Sequence, residues 1–417
     1  MPMILRLQLY IFFMLIGIIT ASHAQVPGFF IKDGSRRVVM PFTQVNHLII
    51  LPISINGGPS LNFLFDTGVK SNILFSKTIG DQLGLTYSRK LNLIGADGQT
   101  VLTASVSTNN HLDLGKVEGT LQAILVLDDD FLELEKVLGV PVYGVIGYEF
   151  FKLNPIKVDY DFSRLTFYES EAMRWRPFGY RVMNIEIDDN KPYIFSKIYQ
   201  NNGPDLQAKL LIDTGANHSL LLNREASKDI VLPNPSLESD LGRSLGGDLF
   251  GYIGRVTRLK LGGMNFNQVI TSYPNETEFS NIILGTGRLG SLGSELLSRM
   301  KLIFDYPRQR ILYKKGMSFS QPFAYDMSGI TVRLLDVEEG RVYVSQIKEG
   351  SPAHLAGVRQ YDEIFSINNV PIFFWKLSDI NDLFRSEAGR RIKLGLLRNT
   401  GEGLQETTVT FVLKQQL

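Results

Sequence analysis

An aspartate, a threonine and a glycine stand between two apolar runs in LNFLFDTGVKSNILF, Leu61 to Phe75, and again 147 residues later in AKLLIDTGANHSLLL, Ala208 to Leu222. An ionised carboxylate withdrawn from water costs several kcal/mol unless something compensates it. An acid kept twice in such company needs a shared structural reason.

The surroundings repeat as well. Gly58-Pro59-Ser60-Leu61 precedes the first triplet and Gly203-Pro204-Asp205-Leu206 the second, each a Gly-Pro turn between strand-like segments. This predicts a hairpin whose second arm runs into Asp-Thr-Gly. Downstream, VYGVIGYEFF (Val142 to Phe151) matches LGSLGSELLS (Leu289 to Ser298), each an apolar pair, a glycine (Gly147 or Gly293) and the start of an amphipathic helix. Then VDYDFSRLTFY (Val158 to Tyr168) matches IFDYPRQRILY (Ile303 to Tyr313), each a strand, a polar turn and a strand. In between, each copy has a Gly-rich turn suited to a hairpin tip: Gly95-Ala96-Asp97-Gly98, and Ser244 to Gly251 with Gly246, Gly247 and Asp248. Matching features in one order predict a duplicated, mainly β lobe, over 25–177 and 178–320.

From Gly329 the pattern changes to short strands, GITVRLL, RVYVSQI and DEIFSIN, then the helix-like LSDINDLFRSEAG, then KLGLL and TVTFVL. Ser351-Pro352-Ala353-His354-Leu355-Ala356-Gly357 reads as a short helix with a serine cap, proline in its first turn and a closing glycine. A third, α+β module is predicted over 325–417.

The 417 residues are 44% hydrophobic and 20% charged, enough for two or three globular domains. Lys and Arg total 43 against 42 Asp and Glu, so no strong field marks the chain as a nucleic-acid binder. Without cysteine it has no disulfide framework, thiolate nucleophile or lipoprotein acceptor. The five histidines are scattered without metal-ligand spacing, so neither a metal nor another cofactor is expected. Residues 1–24, with Arg6, an apolar run from Leu9 to Thr20 and small residues at Ser22 and Ala24, read as a secretory signal cleaved before Gln25. The alternative, an uncleaved anchor, is disfavoured because the run is shorter than the ~20 residues that span a bilayer. An exported protein, periplasmic or extracellular, without a stable membrane span after cleavage, is the expectation.

A two-fold duplicated lobe brings equivalent elements together at its axis, which sets Asp66 and Asp213 face to face. Two carboxylates in contact cannot both ionise cheaply, so they share a proton and divide into one acid and one base. Glycine after threonine lets the backbone approach each acid, and a threonine hydroxyl can tie one lobe to the other.

With these residues in view, each lobe resembles a retroviral-type (retropepsin-like) aspartic protease subunit, over about residues 35 to 318. The last module resembles a PDZ domain of bacterial exported proteases, most clearly in SPAHLAGV and DEIFSINN. The resemblance implies Asp66 and Asp213 as the catalytic dyad of an aspartic endopeptidase, Thr67 and Thr214 as a cross-lobe grip, and Gly68 and Gly215 in support. It implies flaps at Gly95 to Gly98 and Ser244 to Gly251 that close over a bound peptide. It also implies a carboxylate-binding loop at Ser328-Gly329-Ile330-Thr331, where a C-terminal peptide would add as a strand. Because one chain carries both halves, an active monomer acting on peptide or protein substrates is expected.

Lys70, four positions after Asp66, is read as a solvated side chain and His218 as structural. Neither Val69 nor Ala216 has a hydroxyl to bond the adjacent carboxylate, which predicts a weakly acidic rather than strongly acidic optimum. Two other readings are a non-catalytic peptide-binding adaptor on the same folds, and an enzyme whose lobes pair between chains.

Overall fold

The strand Ser60–Phe65 ends where Asp66 begins, and the strand Leu206–Ile212 ends at Asp213. They belong to a computed structural model that describes residues 26–94, 101–129, 132–244, 247–275, 285–336, 339–401 and 403–417. In each lobe a short strand, Gly144–Ile146 or Gly290–Leu292, slides between the strand before the aspartate and the strand after it. It runs parallel to the first and antiparallel to the second. The Asp66 amide donates to the Ile146 carbonyl at 3.0 Å and the Asp213 amide to that of Leu292 at 2.9 Å, so both acids hang from the same scaffold. Gly147 and Gly293 close it: a Cβ there would stand 2.6 Å from the Val69 carbonyl oxygen and 2.1 Å from that of His218.

The fold is mainly β, with a nine-stranded sheet around Asp66 and an eight-stranded sheet around Asp213. A six-stranded sheet joins the lobes, with three strands from each in the order 181–184, 310–315, 300–305, 156–159, 164–168, 37–41. Its centre is the antiparallel pairing of Ile156–Asp159 with Met300–Asp305. There Lys301 Nζ reaches Asp159 Oδ1 at 2.8 Å and Asp161 Oδ2 at 2.9 Å across the seam. Phe151, just after Gly147, packs on Phe304 and stacks on Tyr306 with centroids 5.7 and 5.2 Å apart. Both lobes therefore share one hydrophobic core.

The predicted hairpins form, with a shifted turn. In the first lobe Asn56 and Gly57 take the left-handed conformation (φ 51° and 80°), so Gly58-Pro59 follows the turn instead of centring it. The second lobe spans a longer loop between the paired residues Ile198 and Leu206.

The C-terminal sheet runs in the order 330–336, 341–347, 363–367, 391–399, 404–412, with helices Pro352–Leu355 and Leu377–Phe384 on its own core. Ser351 caps the first helix as read from the sequence, its Oγ accepting from the His354 amide at 3.3 Å. The segment leading into this module is pinned by two arginines. Buried Arg299 donates to the carbonyls of Ser318, Gln321 and Pro322 and lies 3.7 Å from the Phe323 ring centroid, while Arg255 donates to the Phe323 carbonyl. Arg299→Ala would strand these carbonyls and open a void, so it is expected to lower stability by about 3 kcal/mol in denaturant titration.

No helix among the described residues is long and apolar enough to cross a membrane.

Candidate active site

Two loops meet tip to tip at the lobe junction. The Thr67 hydroxyl donates to the Ile212 carbonyl at 2.7 Å and accepts from the Thr214 amide at 3.1 Å. In mirror fashion the Thr214 hydroxyl donates to the Phe65 carbonyl at 3.0 Å and accepts from the Thr67 amide at 3.0 Å. The threonines are 1% and 0% exposed, so each lobe satisfies backbone groups that the other cannot.

The grip sets the half-buried Asp66 and Asp213 beside each other at the junction, each next to the other lobe's glycine. Each carboxyl takes the amide two residues on: Gly68 N to Asp66 Oδ1 at 2.6 Å, and Gly215 N to Asp213 Oδ1 at 3.0 Å. Burial first, then the Asp213 carboxylate, push Asp66 well above the usual carboxylate range, against the pull of the Gly68 amide and of Lys191. The pair is thus built to hold a proton that one isolated carboxyl would release.

The glycines act across the junction. A Cβ on Gly68 would stand 3.0 Å from Asp213 Cγ, and one on Gly215 only 2.3 Å from Asp66 Cγ. Each glycine clears space for the other lobe's carboxyl. Gly215→Ala is expected to displace Asp66 and cut kcat about a hundredfold, with a smaller loss for Gly68→Ala; steady-state kinetics on both folded variants checks the order.

Other sequence-read residues fall as follows. Lys70 is exposed and pairs with Asp189, at the tip of a second-lobe hairpin. His218, held neutral by burial, has Nε2 3.0 Å from the Ser291 hydroxyl, a packing role. The long hairpins Tyr87–Ile94 with Val101–Leu114 and Ser236–Ser244 with Gly247–Leu261 are present. Gly95, Ala96, Asp97, Gly98 and Gly246, which the sequence reading assigns to the flaps, lie outside the described residues. Gly247 and Asp248 pair with Ser244 and Arg243.

In the C-terminal module Gly329 is left-handed (φ 80°) and Ser328 is buried. The Ser328 and Gly329 amides donate to the Asp326 carboxylate, and the Ile330 amide to the Ser328 hydroxyl. Ile330 and Thr331 open the strand Ile330–Asp336, which pairs with Arg341–Ile347 and has the first-lobe helix Leu134–Leu138 packed against it. Asp240, on the second-lobe hairpin, lies 3.6 Å from Arg333 and accepts from Gln346 Nε2 at 3.1 Å. Sequence reading missed these contacts, since nothing local joins a hairpin strand to a module 90 residues on.

It also missed Lys191. Continued two residues past the Tyr193–Leu211 pair, the strand register sets Lys191 opposite Asp213, and its ammonium feels both aspartates.

A family model described as "Aspartyl protease" matches residues 51–150 and 199–288, one triplet in each stretch, and a "PDZ domain" model matches 343–398. No curated protein matches the chain. The chain is thus built from two aspartyl-protease repeats with retropepsin-like lobes, followed by a C-terminal PDZ domain.

Proposed function

We propose that this chain is an exported aspartic endopeptidase in which Asp66 and Asp213 share one proton and activate a water molecule. The observation that carries the reading is the reciprocal threonine grip, which holds the two carboxyls together across lobes of a single chain. Asp213, opposite Lys191, is the carboxylate that takes a proton from water as it attacks the scissile carbonyl. Asp66, its proton retained by burial and by Asp213, donates to that carbonyl oxygen. As the C–N bond breaks, the proton taken by Asp213 passes to the leaving amine and a hydroxyl of the tetrahedral diol returns its proton to Asp66 as it becomes the new carboxyl, so the dyad ends as it began and no covalent intermediate forms.

Both hairpins close over the peptide as flaps, and one folded chain suffices for activity. The PDZ domain takes a peptide or partner, which at the Ile330–Asp336 edge means displacing the first-lobe helix Leu134–Leu138 packed there. Export rests on the leader at 1–24.

Cleavage of a diverse fluorogenic peptide pool between about pH 3 and 8 tests this. Because Asp66 keeps its proton above the ordinary carboxylate range, the single-proton state extends upward and the rate should peak at weakly acidic pH. A maximum below about pH 3 would refute the assignment.

A further inference from the structure

The two lobes differ beside the dyad in a way their backbone symmetry does not require. The register that sets Lys191 opposite Asp213 sets Leu48 opposite Asp66, two residues past the Ile50–Leu64 pair. Likewise Arg288 immediately precedes Leu289, whose amide donates to the Lys209 carbonyl, and Val142 precedes Tyr143, whose amide donates to that of Asn62. Buried Leu48 and Val142 in the first lobe thus correspond to Lys191 and Arg288 in the second.

Apart from the dyad itself, no acid among the described residues is committed to these cations. Lys191 is half-buried, and among the described residues no hydrogen bond or ion pair holds its ammonium. Arg288 Nε is buried with no hydrogen-bond partner among the described residues. The nearby hairpin acids are engaged elsewhere: Asp189 pairs with Lys70, while Glu186 and Asp188 lie 2.8 and 3.8 Å from Lys209. Burial, then Arg288, then Lys70 pull the Lys191 ammonium below its ordinary range, opposed by Asp213 and Asp66. Like charges gathered in a partly desolvated place attract an anion from outside.

Building on the peptide-cleft reading above, we propose that Lys191 and Arg288 form a carboxylate-binding subsite, which selects substrates with a carboxylate beside the scissile bond on the second-lobe side. The first lobe buries Leu48 and Val142 at the matching places and so has no cation there, which gives the cleft a direction, since a peptide bound in reverse would set its carboxylate where no counter-charge waits. The carboxylate is a Glu or Asp side chain or the peptide's own C-terminus.

The test is fluorescence anisotropy with labelled peptides on the parent and on Asp66→Asn, so that binding is read apart from hydrolysis. One peptide carries an internal Glu and an amidated end, a second carries Gln there, and a third carries Gln with a free C-terminus. The Glu or the free-end peptide should bind at least about tenfold tighter than the neutral one, and which does so names the source. The Lys191→Leu/Arg288→Val pair, which copies the first lobe, should erase the preference, and Lys191→Glu/Arg288→Glu should turn it toward a Lys peptide. Equal binding of all three peptides, no binding of any, or a preference that survives in the folded Leu/Val protein overturns the subsite. A carboxylate preference in a parent that cleaves nothing would sink the protease reading and leave the subsite standing; cleavage without preference would do the reverse.

Discussion

Asp213→Asn is expected to cleave peptides at least about a thousandfold more slowly than the parent while remaining folded, and Asp66→Asn to do the same. Each removes one half of a unit that works only as a pair, so the double variant should be scarcely worse than either single one. Stability should move the other way. Folded Asp66 holds its proton more tightly than the unfolded chain does, so the parent's stability falls as pH rises from the ordinary carboxylate range through the raised folded-state value. Asn carries no charge to desolvate. Asp66→Asn should therefore unfold at higher denaturant at pH 7, by about 1–2 kcal/mol, and the gain should shrink as pH falls through that window. A variant that loses activity by unfolding would show the opposite shift, which separates chemistry from collapse.

The second large effect lies in the grip. Thr67→Val keeps shape but removes the hydroxyl, leaving the Ile212 carbonyl and the Thr214 amide buried without that partner. Two such groups cost about 3–5 kcal/mol together. Because Thr214 directly follows Asp213, the loss should also loosen the dyad and lower kcat by about a hundredfold, with a smaller effect on KM. Thr67→Ser, which retains the oxygen, should recover most of both losses. If Thr67→Val weakened the protein without slowing it, the grip would be structural cement alone.

How much of this was legible in the residues follows from what each feature depends on. The Asp-Thr-Gly triplets, the glycines 147 and 293 and the strand pairs after them are local patterns, and their repetition gave the duplicated lobe and the facing aspartates. The serine cap and the succession of strands and helix along the PDZ domain were local too. Register was not. The Gly-Pro dipeptides suggested turn centres, yet Asn56 and Gly57 make the first turn and the second hairpin has a longer loop. Those shifts decide which side chain faces each aspartate, so Lys191 could not be found by counting from the turn. The purpose of Gly68 and Gly215 was only half visible, because the atoms that exclude a Cβ come from the opposite lobe. Lys70 shows the same limit: its partner, Asp189, lies on a hairpin of the other lobe.

The claim that one chain supplies the whole dyad is tested most directly by mixing. Asp66→Ala and Asp213→Ala proteins, each folded and inactive, are combined in equal amounts and assayed on a peptide that the parent cleaves. The cis dyad predicts no recovery in the mixture, and a parent whose specific activity holds over about a thousandfold dilution. Activity regained on mixing, with parent activity falling on dilution, would place the two aspartates in different chains and contradict the account.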